Sequence, residues 1–483
     1  MQYLKVPFCL FIVLAVSATA RADDVTVTID YSSITVISAY APGISQVDNE
    51  LCFPWTGCDL SAVNNVKSLI ANGITFVNQP IMAWGTPDPW PNPAQLEPTL
   101  WSGMDHQMQN ILDTGATPVI SLCEAPWWMK GQLNVDGTTK PLLQTDEWNS
   151  IAYSSRILDN KMNDWLKLVQ CVAERYMVAP YNVRYFQVWN EFKGYYNPSC
   201  NHWDYDSSPG DASGPNAKHG YTYMYNLVYQ RLKQTATNLG IDSTSINVGG
   251  PYIVMDSGQK ASCMSNPSSL TGPWGVMDQR VLDAIGYWLQ NKAGAEFISV
   301  DGANATKFGV NPTDDFTMTQ KFSATNAWIR QQPGGHSLPI WWAEWYTAPS
   351  QNIETDSVDN ALGAYSVMQQ INSGASVTLL WSGTASKECN PPLWTDTTAG
   401  GGQPKPWYYT YKSFHDFIIP GTPLFAVHSS SSAVAVLASP QKIMVINTSS
   451  VPLSVSINGC PFHLADYEVK IIDRLPPFDS DCH

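Results

Sequence analysis

The sequence predicts a (β/α)₈ barrel carrying a small antiparallel β-sandwich, and three observations predict it. Short apolar, strand-like runs alternate eight times with amphipathic segments between residues 34 and 418, the order that closes a parallel sheet on itself. From residue 422 the apolar residues instead recur at every second position, the period of a half-buried strand. No G-x-G-x-x-G follows the first strand, so the main sign of a doubly wound dinucleotide fold is missing.

Taken in order, residues 25–31 (VTVTIDY) alternate within an N-terminal piece, 23–33, expected to add a strand to the sandwich and clamp the chain ends together. The barrel is assigned to 34–420 and opens with the run 34–39 (ITVISA). A helix over 60–72 follows, with Asp59 as N-cap and Gly73 as its stop. The second strand is 74–77; after a Pro/Trp-rich loop a helix over 100–114 is closed by Gly115. The third strand is 117–122, and the helix 160–177 shows Trp165, Leu166, Leu168, Val169, Val172 and Tyr176 at helical spacing. Strands at 183–189, 246–248, 297–300, 338–343 and 376–381 alternate with helices at 221–239, 276–290, 317–331, 358–371 and 408–418. The sandwich, 421–483, takes runs at 433–437, 442–446, 453–457 and 469–472.

The first residues set the compartment. Lys5 precedes the apolar run 6–16, and A-x-A endings fall at 18–20 and 20–22. This is the pattern of a secretory signal over residues 1–22, too short to span a bilayer. The mature chain is expected to begin near Asp23 and to be secreted. A formal net charge of −15 argues against nucleic acid and anionic membrane surfaces as partners. The 19 Trp and 22 Tyr exceed the needs of a core, where each indole N–H must find an acceptor; flat aromatic faces of this kind suit sugar rings. Ten cysteines less Cys9, which leaves with the signal, make an odd number, so at least one thiol stays free. Cys52 with Cys58, Cys460 with Cys482, and Cys200 with Cys263 are possible pairs, while Cys123 and Cys171 are expected as buried thiols. Asn304-Ala-Thr and Asn447-Thr-Ser are glycosylation sequons.

In a barrel of this kind the site forms at the C-terminal ends of the strands. The fourth strand ends in Val188-Trp189-Asn190-Glu191-Phe192 and the seventh in Trp341-Trp342-Ala343-Glu344-Trp345. Each apolar run delivers a carboxylate where the run stops, a costly placement unless the group is paired or used. Two facing carboxylates are what glycosidic cleavage needs: one protonates the leaving oxygen and the other attacks the anomeric carbon. Repulsion from ionised Glu344 is expected to raise the pKa of Glu191 and keep it an acid, with an activity optimum on the acid side of neutrality. Glu191 is therefore read as acid/base, Glu344 as nucleophile, and Asn190 as a contact to the sugar 2-hydroxyl.

The arrangement resembles clan A of the glycoside hydrolases, in which Asn-Glu ends the fourth strand and a second Glu ends the seventh. Within the clan it is most similar to family 39, which holds β-xylosidases and α-L-iduronidases, through VWNEF at 188–192, NVGGPY at 247–252, PIWWAEW at 339–345 and the strand end at Trp381. The resemblance implies a retaining, double-displacement hydrolase acting on a carbohydrate, with Trp381 as the floor of the subsite that holds the cleaved sugar. Two positions depart from the family. The sixth strand runs Val300-Asp301-Gly302-Ala303 where members usually have His and Tyr, and the second runs Asn78-Gln79-Pro80 where an Arg is common.

Other strand-end groups complete the expected site. Glu124, in Leu122-Cys123-Glu124-Ala125-Pro126-Trp127-Trp128, is a substrate-hydroxyl contact before it is a rival catalyst. Trp128, Tyr252 and Trp345 are expected to touch sugar, and Trp84, Trp90 and Trp127 also lie where stacking is feasible; Asp301 is a further hydroxyl contact. The eight histidines form no H-E-x-x-H or other ligand spacing and no G-x-S-x-G is present, so neither a catalytic metal, a cofactor nor serine esterase chemistry is expected. Two other readings stand beside the hydrolase: an endo-acting polysaccharidase or transglycosylase of the same clan, and a non-catalytic carbohydrate-binding protein.

Overall fold

The structure, a computed structural model, describes residues 25–45, 51, 58–135, 138–198, 201–206, 220–260, 268–348, 355–384 and 391–474. The expected signal, Cys52, Cys200, Cys263 and Cys482 lie outside the described residues. Eight parallel strands close into a barrel in sequence order: β1 Ala41–Ser45, β2 Phe76–Pro80, β3 Thr117–Leu122, β4 Tyr185–Val188, β5 Asn247–Val254, β6 Phe297–Ala303, β7 Ile340–Tyr346 and β8 Ala375–Trp381. Helices run back between them, as the alternating pattern required.

The first strand is the main correction. The run ITVISA belongs to one long strand, Val25–Ile37, that pairs antiparallel with Pro423–Ser429, Ile34 opposite Phe425 and Val36 opposite Leu424. Ile34 and Ile37 are each more than half exposed, so these β-branched residues lie at the margin of the sandwich and not in the barrel. β1 is instead Ala-Pro-Gly-Ile-Ser, wholly buried and poor in strand formers. A side chain at Gly43 would place Cβ 2.4 Å from Leu379 and 2.7 Å from the Phe76 carbonyl, so packing inside the barrel demands glycine there.

The barrel interior is filled by Val119, Phe297, Trp341, Val377 and Leu379, with Phe76 and Tyr185 against them. Phe297 stacks on Trp341 at 4.1 Å between centroids. The larger core lies between strands and helices. Helix ends follow the local chemistry: the Asp59 carboxylate accepts from the backbone N–H groups of Ser61 and Ala62, and Gly115 closes Ser102–Thr114 at φ +77°. The expected helix 317–331 is two pieces, Asp315–Met318 and Gln320–Gln331.

The sandwich packs a sheet of Pro423–Ser429, Val25–Ile37, Leu453–Ile457 and Cys460–Leu464 against one of Val434–Ala438, Lys442–Asn447 and Val469–Asp473. Val27, Ile29, Ile443, Val455 and Ile457 form its core. The N-terminal strand therefore does join the C-terminal domain. Cys58 and Cys460 are each in a disulfide whose partner lies outside the described residues, while Cys123 and Cys171 are free thiols, Cys171 only half-buried. Both sequon asparagines are fully buried. The Asn304 amide bonds the Asp315 carbonyl, and that of Asn447 bonds the carbonyls of Val451 and Ala465. The folded chain leaves neither open to a glycan. Among the described residues no helix is long and apolar enough to cross a membrane.

Candidate active site

β4 stops at Val188, and the next residues turn sharply. Trp189, Glu191 and Phe192 have φ of +71°, +49° and +57°, left-handed values that cost non-glycine residues of order 1–3 kcal/mol each. Burial of Trp189 and Phe192 and bonds within the turn hold this conformation. Trp189 Nε1 donates to the Lys193 carbonyl at 2.8 Å, and the Lys193 N–H to the Asn190 carbonyl at 3.0 Å. The turn presents Glu191 to a cavity of ≈ 510 Å³ and folds Lys193 back so that its ammonium pairs with the Glu191 carboxylate. Lys193 is itself boxed by the rings of Tyr153 and Trp84, at 4.3 and 5.1 Å from their centroids.

Irregularities in β5, β6 and β7 bring three more groups to the same point. In the β5–β6 ladder the register skips Tyr252, whose φ is +51°, and its hydroxyl reaches the Glu344 carboxylate at 3.1 Å. In the β6–β7 ladder it skips Ala343, which sets Asp301 directly opposite Glu344. Such bulges re-aim side chains next to active sites. Carboxylate oxygens of Glu191, Asp301 and Glu344 consequently all lie within 4.8 Å of one another. Asn190 is 2% exposed, and its Nδ2 finds no acceptor among the described residues.

These contacts set the electrostatics. Burial pushes the Glu344 carboxyl up, the negative charge of Glu191 adds to it, and it reaches about 8. Burial also lifts Asp301 far above the usual carboxylate range, with the charges of Glu344 and Glu191 adding to the effect. Burial would raise Glu191 as well, but the Lys193 charge, a hydrogen bond from Asp301 and the bond from Lys193 outweigh it and hold this group below its ordinary value. The expected direction for Glu191 is thus reversed, because the argument from two carboxylates contained neither the lysine nor the third acid. The trio is spaced to hold a divalent ion, yet Lys193 already neutralises Glu191 and would repel a cation, and Tyr252 occupies Glu344.

The other expected residues are spread more widely. Trp381, at the end of β8, packs on Tyr346 at 5.4 Å between centroids, and Tyr346 lines the cavity. Trp345 follows Glu344 by one residue and so faces the other side of β7, fully buried with its ring edge-on to Phe322. Trp128 is buried, its Nε1 bonded to the Trp90 carbonyl at 2.8 Å, and it packs edge-on to Trp90. Glu124 is fully buried and paired with Lys130, whose ammonium lies 5.2 Å from the centre of the Trp189 ring. Of the expected site residues only Glu191 lines the cavity: Glu344, Asn190 and Tyr252 stand behind it, and Trp381, Trp128, Trp345 and Glu124 do not line it either. Sequence reasoning passed over Lys193, Asp256, Lys307 and Tyr346, all cavity-lining; only Lys193, two residues past Glu191, carried a visible signal.

The Glu124–Lys130 pair supports the catalytic turn from behind, and breaking a wholly buried pair leaves one charge uncompensated. Lys130→Met is expected to lower stability by about 3–5 kcal/mol, read from the urea midpoint, and Glu124→Gln added to it should recover part of that loss. An unchanged midpoint in the single variant would show that the pair stabilises nothing.

No protein-family model matches the chain, and no curated protein does. Solved structures do. The chain is similar to a GH39 β-xylosidase from Caulobacter crescentus, with a TM-score of 0.51 and 13% identity over 90% of this chain and 83% of that one. It is similar to the endo-β1,6-glucanase BT3312, with a TM-score of 0.57 and 9% identity over 92% and 94%. A GH30 endoxylanase from Clostridium papyrosolvens gives 0.50 and 12% over 93% and 98%. The likeness is one of fold, matched over at least 90% of this chain in each case.

Proposed function

We propose that the chain is a secreted retaining glycoside hydrolase that cleaves O-glycosidic bonds of oligo- or polysaccharides by double displacement, with a β-xylosidase-like specificity. One observation carries this reading. Carboxylates delivered by the ends of β4 and β7 bring one oxygen each within 4.8 Å of the other beside an open cavity, a closeness that favours the retaining class (roughly 5–5.5 Å between carboxyl groups) over an inverting site, which must leave room for a water. Glu344 attacks the anomeric carbon while Glu191 protonates the leaving oxygen. Water then enters, Glu191 takes its proton, and the bond from Glu344 to the sugar breaks. The buried, unpartnered Asn190 amide beside Glu191 suits a sugar hydroxyl, and Tyr252 holds the attacking carboxylate at a fixed angle. The likeness in fold to xylan- and glucan-cleaving enzymes supports a carbohydrate substrate. The signal-like residues 1–22 support export.

The test is a panel of aryl β-glycosides, xyloside first, beside polysaccharides. Release of the phenol is expected, with the first-formed sugar anomer matching the substrate when followed by proton NMR. An inverted first product, or no turnover of any glycoside, would overturn the reading.

A further inference from the structure

We infer that Asp301 is a positioning residue that stores the proton used by Glu191, so that the acid of this site is a carboxyl pair, Glu191 with Asp301, and not a single glutamate. The inference rests on the hydrolase reading above and extends it. Asp301 comes from β6, opposite Glu344 across the ladder, and has a carboxylate oxygen within 4.8 Å of those of both glutamates. It is 1% exposed, and its Oδ2 has no partner among the described residues.

The groups that face it come from every side of the barrel mouth. Glu191 and Lys193 stand on the turn after β4, Tyr252 on β5, Glu344 on β7, and Lys321 on the helix Gln320–Gln331. Asp256 and Lys307, paired at 2.6 Å, lie further along the same cavity. Lys193 neutralises one carboxylate, and water does not reach Asp301. Three carboxyls this close cannot all be ionised; of the two buried ones without a lysine, Glu344 accepts a hydrogen bond from the Tyr252 hydroxyl that favours its ionised form, so the proton rests at least cost on Asp301. Glu191 is spoken for by Lys193 and cannot keep a proton while that pair stands.

Asp301 passes its proton to Glu191, which passes it on to the leaving oxygen and leaves both carboxyls of the pair ionised. The bond from the anomeric carbon to that oxygen breaks with its electron pair going to the oxygen, and a bond from Glu344 to the carbon forms. In the second half, water attacks the carbon, its proton goes to Glu191 and on to Asp301, and the Glu344–carbon bond breaks with its electrons returning to Glu344. The site ends as it began, with one proton on the pair.

Asp301→Asn keeps the shape and removes the proton store. Without its acidic neighbour Glu191 feels Lys193 alone, so the alkaline limb of kcat/KM is expected to fall by at least about one pH unit. Loss at neutral pH should be near the ~10²–10⁴-fold scale of general acid catalysis for poor leaving groups, and small for a dinitrophenyl glycoside that needs no proton. Asp301→Ala, read the same way, guards against an effect of the amide itself. A uniform loss across pH and leaving groups, or an unmoved alkaline limb, overturns the inference and leaves the hydrolase reading intact. If the wild type turns over no glycoside, the hydrolase reading falls instead, and proton storage is then read by infrared spectroscopy. A protonated-carboxyl absorbance near neutral pH that falls in Asp301→Asn, compared in a Glu344→Gln background so that Glu344 does not contribute, supports the stored proton, and an unchanged absorbance overturns it.

Discussion

Glu344→Ala is expected to lose at least about 10⁴-fold in kcat on every glycoside, the scale on which enzymes whose groups act as a unit lose a nucleophile. The reason is covalent: without the carboxylate no glycosyl-enzyme forms, and the double displacement has no first step. The vacated space also makes a positive prediction. Added azide, small enough to enter beside Tyr252, should restore turnover of an activated aryl glycoside and give a glycosyl azide of inverted configuration, because it attacks from the face Glu344 used. The Tyr252 hydroxyl, bonded to Glu344 at 3.1 Å, keeps only the Ala343 carbonyl at 3.5 Å, but the fold should hold, since Glu344 forms no ion pair among the described residues. Near wild-type rates in a folded Glu344→Ala protein would move the nucleophile elsewhere.

What could be read in the sequence was the part governed by periodicity. Seven of the eight apolar runs fall on barrel strands, with helices between them, and a run that ends in a carboxylate betrays itself because burial of that group is costly. The same rule of alternation shows where aromatic counting misled. Trp345 adjoins Glu344, and neighbours in a strand face opposite sides, so if Glu344 faces the sugar Trp345 cannot. β1 was hidden for another reason: Ala-Pro-Gly-Ile-Ser is dictated by what Gly43 meets across the barrel, and no propensity records that. Tyr252 was nameable as a strand end, but its reach depends on a bulge. Lys193 stood in plain view two residues past Glu191, yet its return onto that carboxylate requires three left-handed residues within four positions, a conformation that side chains of Trp, Glu and Phe do not announce.

That lysine shapes what Glu191→Gln should do. With a poor leaving group, such as an alkyl glycoside, kcat is expected to fall by about 10²–10⁴-fold, the usual contribution of a general acid. A dinitrophenyl glycoside leaves without protonation, so its glycosylation step should be nearly unaffected, and deglycosylation, deprived of its base, should become limiting. A burst of phenol followed by a slow steady state is the expected signature. The pH profile should change in a fixed direction. Glu344 is pushed up to about 8 by burial and then by the Glu191 charge; Glu191→Gln removes that charge while Lys193, now unpaired, still pulls Glu344 down. A nucleophile must be ionised, so activity is lost as pH falls through its pKa, and this acidic limb should move to lower pH in the variant. The alkaline limb, which in the wild type reports loss of the proton shared by Glu191 and Asp301, should vanish for the activated substrate. The pre-steady-state burst amplitude against pH measures both limbs at once. An acidic limb that rises, or an equal loss on alkyl and dinitrophenyl glycosides, would mean that Glu191 does not serve as the acid and that its pairing with Lys193 is structural.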